Sequence, residues 1–330
     1  MISYVIISNR LGAWILDDRG VDFRWLTSDV NYVSRMVRNF VELCSSPSAD
    51  RSSWAKQGNA LYEVLISPLE DRLPHDHSLL IDGEPELLGV PFAALTDLQG
   101  HHFLEKFPIS LIPGSYLLPS EGVIDSIDSS NEALIVDSVR VPSEAIGLHP
   151  LPPSLSESKL VASKFHSSRI FKGNDIRLAA LKREIGNSVV FHYTGHSSPD
   201  ESLPGIFVAG GKTAHESEIL DSSFVRSFGP MNTRLVVLSA CATVGGRKGN
   251  FVDEDSLSYA FLEKAVPHVV ASRWNVNSAV TAKLMDRFYT HVLLGKSVSQ
   301  ALREAELEIS SSPDTAAPYF WAAFASYGTS

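Results

Sequence analysis

Two short stretches of the chain end in residues able to do covalent chemistry. The apolar run 189–193 (VVFHY) opens into Thr194-Gly195-His196-Ser197, and the run 235–238 (LVVL) opens into Ser239-Ala240-Cys241-Ala242-Thr243. A thiolate attacks a carbonyl while an imidazole accepts or returns the proton, so Cys241 and His196 together fit nucleophilic acyl transfer through a thioester. A free thiol titrates near pH ~8.5 and needs a positive or dipolar neighbour to ionise at neutrality. His196 can supply one. The backbone N–H groups of Cys241 and of Ser197, beside His196, are candidates for holding the oxyanion, and Gly195 lets the chain turn tightly there.

Such a pair works only if the two runs are neighbouring strands of one sheet, because open parallel sheets bind ligands at the carboxyl ends of their strands. The second part of the chain has that pattern. Apolar runs at 133–137, 188–193, 235–240 and 268–272 alternate with helical patterns near 156–166, 176–185, 224, 257–265, 276–294 and 298–309. Strands apolar throughout and separated by helices signal a mostly parallel sheet covered on both faces, an α/β class. Ahead of it, 3–8, 13–17 and 21–26 read as a β meander with Asp18 and Gly20 at a turn. Val30, Val33, Met36, Val37, Phe40, Val41 and Cys44 then recur at helical spacing behind Ser28 as N-cap, which puts Cys44 on a buried face. A second helix over 53–67 ends at Pro68, and a strand follows at 78–81. The stretch 113–130 is rich in Pro, Gly, Ser and acidic residues, and divides the chain into units 1–130 and 131–330.

Bulk properties exclude other classes. Lys and Arg number 28 against 38 Asp and Glu, a net charge of −10, which argues against nucleic acid as a partner. Two cysteines are too few for a disulfide framework and fit a reducing, cytoplasmic setting; the N-terminus is a poor signal peptide. No window offers ~18 uninterrupted apolar residues, so no membrane span is expected. No H-E-x-x-H pattern occurs among the 11 histidines, and no metal or other cofactor is implied. Residues 244–249 (VGGRKG) lack the spacing of a phosphate loop, which sets aside a nucleotide-binding reading.

Residues 191–196 (FHYTGH) look like the histidine motif of the CHAT peptidases, relatives of caspases, separases and gingipains, and 238–243 (LSACAT) look like their cysteine motif. Further likenesses are 269–276 (VVASRWNV), 284–289 (LMDRFY), 319–324 (YFWAAF) and 83–95 (GEPELLGVPFAAL), so the resemblance covers nearly the whole chain. It implies a caspase-like α/β/α sandwich over 131–330, preceded by a degenerate caspase-like half, and a cysteine endopeptidase cleaving a specific protein. It also implies a TPR-type regulatory domain or other activating partner, although no such repeat occurs here. One departure stands out: the family usually has Gly directly after the catalytic His, where this chain has Ser197. A Cβ there could crowd the oxyanion amide or hold its φ negative.

By the same resemblance the substrate-facing loop corresponds to Ser272, Arg273, Trp274 and Asn275, with Trp274 the candidate for a subsite wall. Related enzymes choose the residue before the cut by charge, and the acidic candidates are Asp137, Asp253 and Asp255, which would favour a basic residue. The glycine-rich stretch 242–255 is a candidate for ordering by a partner. The alternative from another class is a catalytically idle, caspase-like interaction scaffold.

Overall fold

The three alternating runs at the start become an antiparallel meander of β1 (Ile2–Ile7), β2 (Arg10–Asp17) and β3 (Gly20–Asp29), in which Tyr4 pairs with Ala13 and Trp14 with Phe23. Ser8 and Asn9, both at positive φ, form a two-residue turn of the primed kind that suits strand twist. Helix α1 (Val30–Cys44) follows, capped by Asp29 and not by Ser28: Asp29 sits extended at the helix boundary, and its carboxylate accepts the N–H groups of Asn31 and Tyr32. Its apolar stripe of Val33, Met36, Val37, Phe40 and Cys44 is buried as the spacing predicts. In α2 (Arg51–Leu65) Asp50 is the cap, and Pro68 lies in the 3₁₀ turn Ser67–Arg72 that follows.

The computed structural model describes residues 1–73, 77–118, 126–139, 156–175, 177–198, 204–209, 218–240, 255–275 and 277–329. Through the middle of the chain run β4 (Leu79–Asp82), α3 (Pro85–Leu88), α4 (Phe103–Lys106), β5 (Ile109–Ile112), β6 (Glu132–Ser138), α5 (Glu157–Ala162), β7 (Ser167–Lys172) and α6 (Leu178–Asn187). After them come β8 (Val190–Gly195), β9 (Ile206–Ala209), β10 (Glu218–Leu220), α7 (Ser222–Arg226), β11 (Leu235–Ala240), α8 (Leu257–Glu263) and β12 (His268–Ser272). The last elements are α9 (Ser278–Leu293), α10 (Val298–Ser310), α11 (Pro318–Trp321) and β13 (Phe324–Gly328).

Among the described residues, eleven strands share one sheet in the order β3-β2-β1-β4-β5-β13-β12-β11-β8-β6-β7, while β9 and β10 pair separately. Seven of its ten pairings are parallel; the exceptions are the meander and the β12–β13 pair. The sheet is continuous across both parts of the chain, because β13 bonds to β5 on one side and β12 on the other. Both faces are covered. Phe191 packs on Phe261 of α8, while its neighbour His192, pointing to the other face, meets Glu157 of α5 and Tyr289 of α9. This is why every position of β8 and β11 is buried.

Candidate active site

Four parallel strands end together at one edge. Asp137 pairs with Thr194 and Thr194 with Ser239; Ser138 pairs with Gly195 and Gly195 with Ala240. On the far side of β11, Leu238 pairs with Ala271, so Ser272 closes the row. The chain therefore leaves β8 into His196 and β11 into Cys241 from directly paired residues. Cys241, Asp253 and the stretch 241–254 lie outside the described residues.

His196 is 6 % exposed and held by its backbone. Its carbonyl accepts the Phe207 N–H at 3.1 Å and the Tyr193 hydroxyl at 2.8 Å, and that hydroxyl also reaches the Phe207 carbonyl at 2.9 Å. Strand β9 thus runs back along the segment after β8, with Ser197 bridged to Ile206. The flanking bonds, Phe207 N–H to His196 O and Ser198 N–H to Gly205 O, leave the amide of Ser197 facing away from β9. Ser197 is not among the non-glycine residues at positive φ, so its side chain is accommodated in ordinary backbone. Gly195 has no such latitude: a Cβ there would lie 2.7 Å from the Tyr193 hydroxyl and 2.9 Å from the Ser138 carbonyl carbon.

The Ser272 hydroxyl is fully buried and donates to the carbonyl of Ala240, the last residue before Cys241. Arg273 is also buried and bonds to the carbonyls of Phe324 and Val90. Trp274 lies in the core with its indole N–H on the Tyr319 carbonyl, 3.2 Å away, and Asn275 is exposed. Asp137 is half-buried at the row's other end, accepting the Ser158 hydroxyl at 2.6 Å; Asp255 stands just before α8. The row brings Asp137, His196 and Ser272 to one edge. Tyr193 and β9, which fasten His196, were not evident from sequence: Tyr193 reads as one more apolar strand residue.

His192 is a structural residue. Fully buried, it bridges Tyr289 Oη at 3.1 Å and Glu157 Oε1 at 3.0 Å, and burial with the nearby Glu157 pushes the Tyr289 hydroxyl well above its ordinary range. Cys44 is buried in the core, where desolvation raises its thiol far above the usual range and leaves it unreactive. Among the described residues no cluster of His, Cys, Asp and Glu could hold a metal, and no helix is long and apolar enough to cross a membrane.

Comparison with known proteins agrees with this architecture. Tetratricopeptide repeat protein 28 of Mus musculus is 25% identical over 370 residues and that of Homo sapiens 22% over 362, each across 91% of this chain. The chain spans only 15% and 14% of the length of these curated relatives. A chain of the Saccharomyces cerevisiae separase–securin complex superposes with a TM-score of 0.51 at 14% identity, over 93% of this chain and 20% of that one. The Arg-specific cysteine proteinase gingipain R gives 0.53 at 11% identity, over 90% and 73%, and a complex of Porphyromonas gingivalis RgpB pro- and mature domains gives 0.54 at 11%, over 90% and 76%. These likenesses show a caspase-like fold. The CHAT domain model matches residues 55–329, and with that match the chain belongs to the CHAT domain family.

Proposed function

We propose that the chain is a cysteine endopeptidase in which Cys241 is the nucleophile and His196 its general base. The Cys241 thiolate attacks the scissile carbonyl carbon, and the amides of Ser197 and Cys241 hold the oxyanion that forms. Collapse to the thioester expels the amine, which takes its proton from His196; water, deprotonated by His196, then hydrolyses the thioester. The observation that carries this reading is the pairing of Gly195 with Ala240, since each candidate follows its paired residue by one peptide step of about 3.8 Å. The free-facing Ser197 amide and the buried clamps on His196 and Ala240 support it.

Unit 131–330 carries the dyad in this proposal, and unit 1–130 completes the sheet. The substrate is a protein laid along the backbone of 272–275, where Asn275 is the exposed side chain while those of Ser272 and Trp274 are buried beneath it, with Asp137, Asp253 and Asp255 favouring a basic residue before the cut. The work is done in a reducing, cytoplasmic compartment, under control of a TPR-type region or another activating protein, in keeping with the names of the curated relatives. Cleavage of a proteome-derived peptide library by wild type, Cys241→Ala and His196→Ala, read by mass spectrometry, tests it. Cuts that vanish in both variants establish the dyad. A second reading, a caspase-like scaffold without activity, has Ser197 in place of the family's Gly in its favour; absence of any cut with candidate partners added selects it.

A further inference from the structure

A partly open pocket lies beneath α10, against β5, β13 and the 3₁₀ turn Phe92–Ala94, and reaches the carboxyl end of β12 through Arg273. Leu104, Leu302 and Phe324 form apolar wall, and Arg273, Arg303 and Glu306 bring charge. Arg273 is 4% exposed and Glu306 3%. The Arg273 guanidinium gives Nη1 to the Phe324 carbonyl at 3.0 Å and Nη2 to the Val90 carbonyl at 3.4 Å, yet its Nε meets no acceptor. Oε1 of Glu306 likewise meets no donor. Buried polar atoms nearly always find partners, because leaving one bare costs about 1–3 kcal/mol. Both atoms are closed to solvent, and both belong to residues that line one pocket, so a guest there completes their bonding once the two side chains turn towards it.

Charge decides the guest's sign. Arg303 is paired with Glu304 at 3.4 Å, whereas the bonds of Arg273 go to carbonyls, and burial pushes the Glu306 carboxyl well above its ordinary range, towards its neutral form, against the pull of Arg273. Arg303 spends Nε and Nη2 on the carbonyls of Leu104 and Glu105, so Arg273 keeps the free donor. We propose that this pocket binds a small carboxylate with a short apolar tail, its head against Arg273 and Glu306 and its tail against Leu104, Leu302 and Phe324. A protonated Glu306 donates to the bound carboxylate, while Arg273 Nε–H supplies the charge-assisted bond. The space within the pocket is small, about 30 Å³, which limits the guest to a few heavy atoms.

Methyl-resolved NMR titration of the full chain with sodium butyrate tests this, with butyramide and sodium chloride at matched ionic strength as controls. Saturable shifts of the Leu104 and Leu302 methyls are expected with butyrate, at least about tenfold tighter than with butyramide. Glu306→Gln should weaken binding severalfold, and Ala93→Leu, which fills the pocket wall, should abolish it. A tetrapeptide ending in a free valine carboxylate, run beside butyrate, tells a chain terminus from a free acid as the source; carboxylate-dependent binding of either supports the site. No saturable shift with either up to about 50 mM, equal binding of butyramide, or undiminished binding by a folded Ala93→Leu overturns it, leaving a pocket filled by water. Should Ala93→Leu not fold, the butyrate–butyramide comparison on wild type still decides. The readout is binding, so failure here and failure of the peptidase reading are told apart.

Discussion

Tyr193→Phe removes one oxygen and with it the fastening of His196. The hydroxyl is fully buried and lies 2.8 Å from the His196 carbonyl and 2.9 Å from the Phe207 carbonyl. After the change the His196 carbonyl keeps the Phe207 N–H, but the Phe207 carbonyl loses the hydroxyl as donor. One shared buried hydrogen bond contributes about 1 kcal/mol net, and a carbonyl left bare adds to the loss, so about 1–2 kcal/mol of stability should go. Urea unfolding followed by circular dichroism and fluorescence measures this, and an unchanged slope shows that the unfolded state is not the cause. On the peptidase reading kcat should fall about 3- to 30-fold with KM nearly constant, because a loosened imidazole misaligns proton transfer while substrate contacts stay. A variant as stable as wild type within about 0.3 kcal/mol, with unchanged kcat, would refute the claim that this hydroxyl anchors the histidine.

Three further outcomes follow from the same contacts. Gly195→Ala should cost about 1–3 kcal/mol in urea unfolding, since its Cβ meets Ser138 backbone at 2.9 Å; an unchanged midpoint would show that β6 yields freely. Glu306 keeps its proton in the native state above the ordinary value of 4.5, where the unfolded chain releases it, so stability should fall as pH rises from there. The stability of wild type relative to Glu306→Gln should therefore decline by up to about 1.4 kcal/mol per pH unit, and a gap flat from about pH 5 to about pH 7 would contradict the raised carboxyl. Burial lowers His268 to about 4 despite its bond to the Thr329 carbonyl, so the unfolded chain binds a proton first as pH falls below 6.5. Native stability should be lost between 6.5 and about 4 by no more than about 3 kcal/mol, and His268→Asn should remove that part of the acid sensitivity in pH-dependent unfolding.

The strands that lie between covered faces were legible as unbroken apolar runs; β11 and β12 begin and end at the residues the pattern marks. Others were not. Strand β7 (SSRIFK) is a sheet edge with no residue fully buried, and its pattern does not mark a strand. Strand β13 (FASYG) is wholly buried between two neighbours, but its small residues carry no β signature. Strands β5, β9 and β10 have 4, 4 and 3 residues, too few for a period to show. Within the site, His196 was visible because a polar residue at the end of an apolar run is out of place. The Tyr193 and Ser272 hydroxyls were invisible because their partners are carbonyls distant in sequence or hidden in the pleat. The cap of α1 shifted by one residue for a local reason, Asp29 being both extended and able to accept two N–H groups.

The insertion of β13 between β5 and β12 has a consequence for how the chain is made. Ser110 and Ser326 are partners in this seam although 216 positions separate them. During synthesis the amino-terminal strands emerge long before the residues that join them to the rest, and until β13 arrives β5 and β12 each present an unsatisfied edge. Closing so long a loop is a late and slow event, which sets the five-residue strand β13 as the step at which two half-sheets become one cooperative unit.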